Sequence, residues 1–414
     1  MGQVAGLECV ICERTYSDGE VLYTCPSCGP AGILDVLYDY DAIAAGGFGL
    51  ARLAANADRT QWRYLDLLPV SGTHLPAVPI GWTPVFHLAE MAERLGVAEL
   101  WIKDEGRNPT GSFKDRASAV AAVKARELGF DIVCCASTGN AASSLAGFAT
   151  QLDLTTFIFV PEFAPEAKVA QLLVFGATVF VVKGSYLDAY ELCSQASERL
   201  GWYNRSAATN PNPIEGKKTG GLELAEQMTT NLPDWVSVSV GDGCTVAGIW
   251  KGLKEMRRFG VIDRLPRMLG TQARGAAPLV RAWREGEEQW APVDADTVAD
   301  SISVGQPRNG VKALRAIRES GGALVEVSDE EILAAESELA SHGVFGEPAG
   351  VAGIAGIQQA RWSGLVGRDD RVVHVMTGSG LKDVKSAVRA AAGRPMEIEP
   401  TLDAVQAALD RAAR

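Results

Sequence analysis

A chain of 414 residues is long enough for two or three domains at about 150 residues each, with ample apolar material for a buried core. Its 39 Lys and Arg against 51 Asp and Glu leave a formal charge of −12, which removes the electrostatic basis for binding nucleic acid or an anionic membrane and points to small-molecule partners. Hydrophobic residues at 47% and charged residues at 22% exclude a disordered or fibrous chain. No apolar run approaches the roughly 18 residues of a membrane span, and the start lacks the basic-then-apolar pattern of a secretory leader, so a cytoplasmic protein is expected.

The first element is LECVICERTYSDGEVLYTCPSCG, in which Cys9-x2-Cys12 and Cys25-x2-Cys28 form two thiol hairpins. This spacing suits one tetrahedral ion held by four sulfurs, normally zinc, and such a closed set serves folding or docking, not catalysis. From about Ile132 the chain alternates short β-branched runs with helical stretches. IVCCAS leads into AASSLAGFATQL, TTFIFV into PEAKVAQLLVFG, and TVFVVK into SYLDAYELCSQASERLG. Apolar strands alternating with amphipathic helices predict parallel β/α layers. VSVSV (236–240) and VVHVM (372–376) repeat the pattern, each ending in a glycine-rich turn at the strand's carboxyl end, where open α/β sheets bind ligands. PTLDAVQAALDRAAR closes the chain as a helix capped by Thr401.

Four segments carry the chemistry. In KDEGRNPTGSFKDRAS, Lys114 ends a tight turn and opens a helical run, near the positive end of a helix dipole, which favours its neutral, nucleophilic amine. Ser137-Thr138-Gly139-Asn140 offers hydroxyls, an amide and backbone N–H groups at a helix start, a receptor for a carboxylate. Gly241-Asp242-Gly243-Cys244-Thr245 is able to wrap N–H groups around a phosphate dianion. Thr377-Gly378-Ser379-Gly380 places a small hydroxyl at a strand end. Each turn alone is equally at home as a packing turn. An imine-forming lysine, a phosphate cup and a carboxylate cradle together describe a pyridoxal 5'-phosphate site with a small amino acid as substrate. With only His74, His87, His342 and His374 present, none at a paired spacing, chemistry built on histidine is disfavoured.

NPTGSFKDR, STGNAAS, EGKKT, LPRMLGTQARGAAPLV, EPAGVAG and TGSGLKD resemble the fold-type-II pyridoxal phosphate enzymes, and among them the threonine synthase family, from about Trp82 to Asp383. The N-terminal cysteines followed by LDVLYDYD resemble the zinc-ribbon extension of many members. The resemblance implies an α/β fold of two domains with mostly parallel sheets covered by helices, plus the small ribbon. The expected organisation is the ribbon over 1–40, a large cofactor domain over 41–120 and 205–395, a smaller mobile α/β domain over 121–204 and a C-terminal helix over 396–414. A homodimer is implied as well. Residue by residue, Lys114 is implied as the Schiff-base lysine and proton carrier, and Asn140 as the partner of the cofactor's ring hydroxyl. Ser137, Thr138 and Asn140 would hold the substrate carboxylate, Gly241 to Thr245 the cofactor phosphate, and Thr377 the pyridine nitrogen.

Three departures concern the leaving group. The family's N-P-x-R before E-G-x-K-T becomes Asn210-Pro211-Asn212-Pro213, without the arginine that receives the substrate phosphate. Ser379 stands where histidine is usual, and the asparagine-rich phosphate loop becomes GDGCT, with Asp242 beside the expected phosphate. Either Arg205, Lys217 or Lys218 replaces the lost cation and the enzyme is a threonine synthase, or the substrate lacks a γ-phosphate. In the second case the reaction is β-replacement, as in cysteate synthase, or the elimination of a serine/threonine ammonia-lyase. A non-catalytic cofactor-binding relative is the remaining reading.

Overall fold

The computed structural model describes residues 4–162, 164, 166–391, 393 and 395–412. Residues 1–3 of the expected ribbon and 413–414 of the expected terminal helix lie outside the described residues. The ribbon is a three-stranded antiparallel sheet of β1 (Val4–Cys9), β2 (Thr15–Tyr16) and β3 (Leu34–Tyr38), in the order β2-β1-β3. β3 buries Leu34, Val36 and Tyr38 on one face by simple alternation. Two cysteine turns hang from this sheet, and Gly32 allows the second to pack tightly on its exit to β3: a Cβ there would meet the Cβ atoms of Cys28 and Cys25 at 2.6 and 2.7 Å.

β4 (Val85–His87) and β5 (Glu99–Asp104) open the large sheet. The chain then builds a four-stranded parallel sheet from β6 (Ile132–Ala136), β7 (Thr155–Pro161), β8 (Thr178–Val182) and β9 (Tyr203–Asn204), ordered β8-β7-β6-β9. β10 (Trp235–Ser239), β11 (Arg267–Ala273), β12 (Ala323–Val327) and β13 (Arg371–Met376) complete the large sheet as β12-β11-β10-β13-β5-β4, parallel except for the antiparallel edge strand β4. All of β10 is buried, as expected of a central parallel strand covered on both faces. Helix Pro348–Trp362 packs on one face of that sheet, and helices Cys244–Arg258 and Gly310–Glu319 on the other. The strands and helices foreseen from Ile132 to Gly201 are all present. So is the terminal helix, Leu402–Ala412, whose Ala404 N–H donates to Thr401 Oγ1 at 3.2 Å. Among the described residues no helix is long and apolar enough to cross a membrane.

The ribbon is fastened to the body by side chains. The Tyr38 hydroxyl donates to Glu215 (2.8 Å), Lys312 Nζ donates to the Leu34 carbonyl (2.7 Å), and the Tyr23 hydroxyl accepts the Asn204 N–H (2.9 Å).

Candidate active site

A cleft of about 380 Å³ opens where β6, β10 and β13 end, within the range of about 300–1,000 Å³ usual for small-molecule sites. Lys114, the first residue of helix Lys114–Glu127, lines it. The turn before it is clamped onto the end of β13: the Phe113 N–H donates to the Thr377 carbonyl (2.8 Å) and the Ser379 N–H to the Gly111 carbonyl (3.0 Å). Immediately after it, Asp115 is buried and accepts from Thr110 N–H (2.7 Å), while Arg116 is buried between Glu105 and Glu223. Burial, reinforced by the charge of Lys217, pulls the Lys114 ammonium down to about 8, so the neutral amine is accessible near physiological pH.

The turn expected to form the phosphate cup lies at the start of helix Cys244–Arg258. Its first intrahelical backbone bond runs from Ala247 N–H to the Gly243 carbonyl, so the N–H groups of the preceding turn are left for a ligand. Gly243 has φ +95°, and a Cβ would lie 2.7 Å from the Asn309 carbonyl oxygen, so glycine is required. Asp242 does not oppose an anion here. Its carboxylate accepts from Arg308 N–H (2.7 Å), Asn309 Nδ2 (2.9 Å) and Cys244 Sγ (3.0 Å), and is thereby turned to the neighbouring loop.

Ser137 and Thr377 line the cleft, as do Gly241 to Thr245 and Arg205. Thr138 sits on the same turn but is not part of the lining, and Asn140 lies behind it, donating to Glu347 Oε1 at 2.7 Å. Neither Pro213 nor Ser379 is part of the lining, and Pro213 is buried at the start of helix Asn212–Gln227. His374 is buried, its Nε2–H donating to the Gly350 carbonyl (2.7 Å), and burial lowers it to about 4, a neutral core histidine.

Glu347 has no role in the sequence reading, although it opens the EPAGVAG motif. It is 5% exposed, and burial raises its carboxyl above the usual range despite the hydrogen bond from Asn140 and the nearby Lys114 amine. Of the three candidates for the lost cation, Arg205 and Lys217 line the cleft and Lys218 does not, while a further cation of the lining, Arg308, is absent from the sequence reading. The signal for Glu347 was the glutamate preceding a helix-opening proline. For Arg308 there was none.

A larger hollow of about 520 Å³ lies between the ribbon and helices Cys244–Arg258 and Gly310–Glu319. Its lysines are spoken for: Lys251 by Glu215, Lys254 by Glu319 and Lys312 by Asp35, at 2.6–2.7 Å. The reactive amine and the open helix start belong to the smaller cleft.

These residues fit pyridoxal phosphate: a desolvated lysine, unengaged N–H groups for a dianion, and the Thr377 hydroxyl in the same lining. In the ribbon, the sulfurs of Cys9, Cys12, Cys25 and Cys28 lie within 4.8 Å of one another, with Cys12 and Cys25 at 3.7 Å. Four sulfurs about 2.3 Å from a tetrahedral zinc stand about 3.8 Å apart.

Comparison with known proteins agrees with this geometry. Residues 77–378 match the family described as pyridoxal-phosphate dependent enzyme. Threonine synthase of Methanocaldococcus jannaschii is 40% identical over 94% of this chain and 96% of its own, and that of Methanosarcina acetivorans 39% over 97% and 98%. Among solved structures, threonine deaminase isoform 2 of Solanum lycopersicum has a TM-score of 0.65 at 23% identity, covering 75% of this chain and 88% of that one. Maize serine racemase scores 0.64 at 19%, covering 91% and 98%. These two share the fold. The chain belongs to the pyridoxal-phosphate dependent enzyme family and, within it, to the threonine synthases.

Proposed function

We propose that this chain converts O-phosphohomoserine and water into threonine and inorganic phosphate, with pyridoxal phosphate bound in the cleft. The observation that carries the substrate assignment is the likeness to two threonine synthases along almost the whole chain. When bound, the cofactor supplies an electron sink that acidifies the carbon-bound protons of an amino acid. The protein's part is position and protonation. The free N–H groups at the start of helix Cys244–Arg258 would hold the cofactor phosphate. Lys114, with its amine near neutrality, would capture the cofactor between turnovers and carry protons during them. Thr377 would face the ring nitrogen with an uncharged hydroxyl, which does not enforce a protonated ring and so tempers the electron sink. Ser137, with the Thr138–Asn140 turn, would take the substrate carboxylate.

The four ribbon cysteines would hold one structural zinc ion, a closed site with no position left for substrate. The test of function is the simultaneous release of phosphate and threonine from O-phosphohomoserine by the purified holoenzyme, abolished in Lys114→Ala. Absence of both products, with turnover of serine or threonine instead, refutes the assignment.

A further inference from the structure

We propose that Arg205 and Lys217 together receive the phosphate ester of the substrate, the duty that Pro213 leaves vacant; this rests on the reading of the cleft given above. Lys218, the lysine of the family's E-G-x-K-T, is consumed elsewhere. Its Nζ contacts Glu215 at 2.7 Å and Glu255 at 3.0 Å and lies 4.0 Å from the centre of the Tyr38 ring. Lys217, one residue earlier, turns to the cleft instead.

Both proposed cations are nearly buried, Arg205 at 3% and Lys217 at 4% exposure. Neither has a carboxylate within ion-pair distance among the described residues. Arg205 Nε donates to Ser118 Oγ at 3.0 Å, while its Nη2 is buried without any partner. Both charges are felt at Lys114, whose ammonium is disfavoured first by burial, then by Lys217 and also by Arg205. The carboxylates around these cations are engaged, Asp242 by the 308–309 loop, Glu347 by Asn140 and Asp115 by Thr110.

Two nearly buried cations lining one cleft, neither with a carboxylate at ion-pair distance, are unfavourable, so the arrangement calls for an anionic ligand. The cofactor phosphate already has the helix start at Gly243 to Val246. The unmatched pair therefore fits a second dianion. An arginine fork and a lysine point charge are the usual means of gripping a phosphoryl group. When the bond between the γ-carbon and the ester oxygen breaks, its electron pair passes to the leaving phosphate, and these two cations meet the charge there.

The experiment compares wild-type holoenzyme with Lys217→Gln, Arg205→Gln and Arg205→Lys. Cofactor content is read by absorbance, binding of inorganic phosphate and of L-homoserine by calorimetry, and KM and kcat with O-phosphohomoserine. Each Gln variant should weaken inorganic phosphate and raise KM by about 10- to 100-fold, the effect of losing one charged hydrogen bond. Arg205→Lys should recover part of the loss, with cofactor content and L-homoserine binding unchanged. Unaltered phosphate binding in Lys217→Gln overturns the proposal. Parallel loss of cofactor, or an equal loss of L-homoserine, also overturns it, because the cations then serve the cofactor or the carboxylate. If Arg205→Gln fails to fold, Lys217→Gln decides. A wild type that turns over no O-phosphohomoserine refutes the substrate reading alone, since the inorganic phosphate titration still tests the two cations.

Discussion

Lys114 shows how much chemistry one burial decides. With its ammonium at about 8 instead of the usual 10.5, about a tenth of the amine is neutral at pH 7, against fewer than one in a thousand for an ordinary lysine. In the cofactor-free protein, acylation of Lys114 followed by mass spectrometry should therefore rise through pH 8, while surface lysines rise near pH 10; coincident profiles would remove the basis for its reactivity. The folded value lies below the unfolded one, so the unfolded chain holds this proton more tightly between the two. This group accordingly makes the cofactor-free fold more stable as pH climbs from about 8 to 10.5. That Lys114, Ser137, Gly241 to Thr245 and Thr377 gather at one cleft was legible in the sequence because each sits in a short turn whose chemistry is local. Glu347 was not, since its partner Asn140 is 207 residues away. Nor were the orientations of Arg205 and Lys217, because a basic residue read without its fold looks like a solvated charge.

Among the elements, helix Asn212–Gln227 escaped the sequence reading for a physical reason. Gly216, Gly220 and Gly221 look like helix breakers, yet Gly216 and Gly221 let three helices touch backbone to backbone and Gly220 makes room for the Phe113 ring. A Cβ at Gly216 would lie 2.2 Å from the Arg116 carbonyl oxygen, and one at Gly221 2.2 Å from that of Ile249. Gly221→Ala gains helix propensity of about 1 kcal/mol but meets a backbone that cannot step aside. Overpacking of about 1–3 kcal/mol should win, read as a lower denaturation midpoint; a midpoint raised by the substitution would contradict this packing. The same helix supplies Glu223 to a buried network. Burial alone would raise this carboxyl, but Arg116 and Lys103 outweigh it and hold Glu223 at about 2. Arg116 is thereby fixed through both of its neighbouring carboxylates, two residues from the reactive amine.

At the scale of the whole molecule, the two parallel sheets meet across the cleft through a few polar contacts. Asn140 donates to Glu347, Lys382 donates to Ser143 (3.0 Å) and Gln171 (2.9 Å), and Lys168 pairs with Asp300. The parallel layers were readable from their β-branched runs. The ribbon was readable from its four cysteines and the resemblance of LDVLYDYD, but not its strand order, which depends on pairing between distant segments.

The ribbon touches the body at two telling places. Tyr23 holds Asn204, one residue before Arg205, and Tyr38 holds Glu215, two residues before Lys217. This remote module thus braces the segments that carry both cations proposed to meet the substrate phosphate, while leaving the Lys114 turn to other supports. Chelator treatment of zinc-loaded holoenzyme should give a protein that stays yellow but holds its substrate loosely: KM rising well before cofactor content falls. Simultaneous bleaching would show instead that the ribbon steadies the entire cleft.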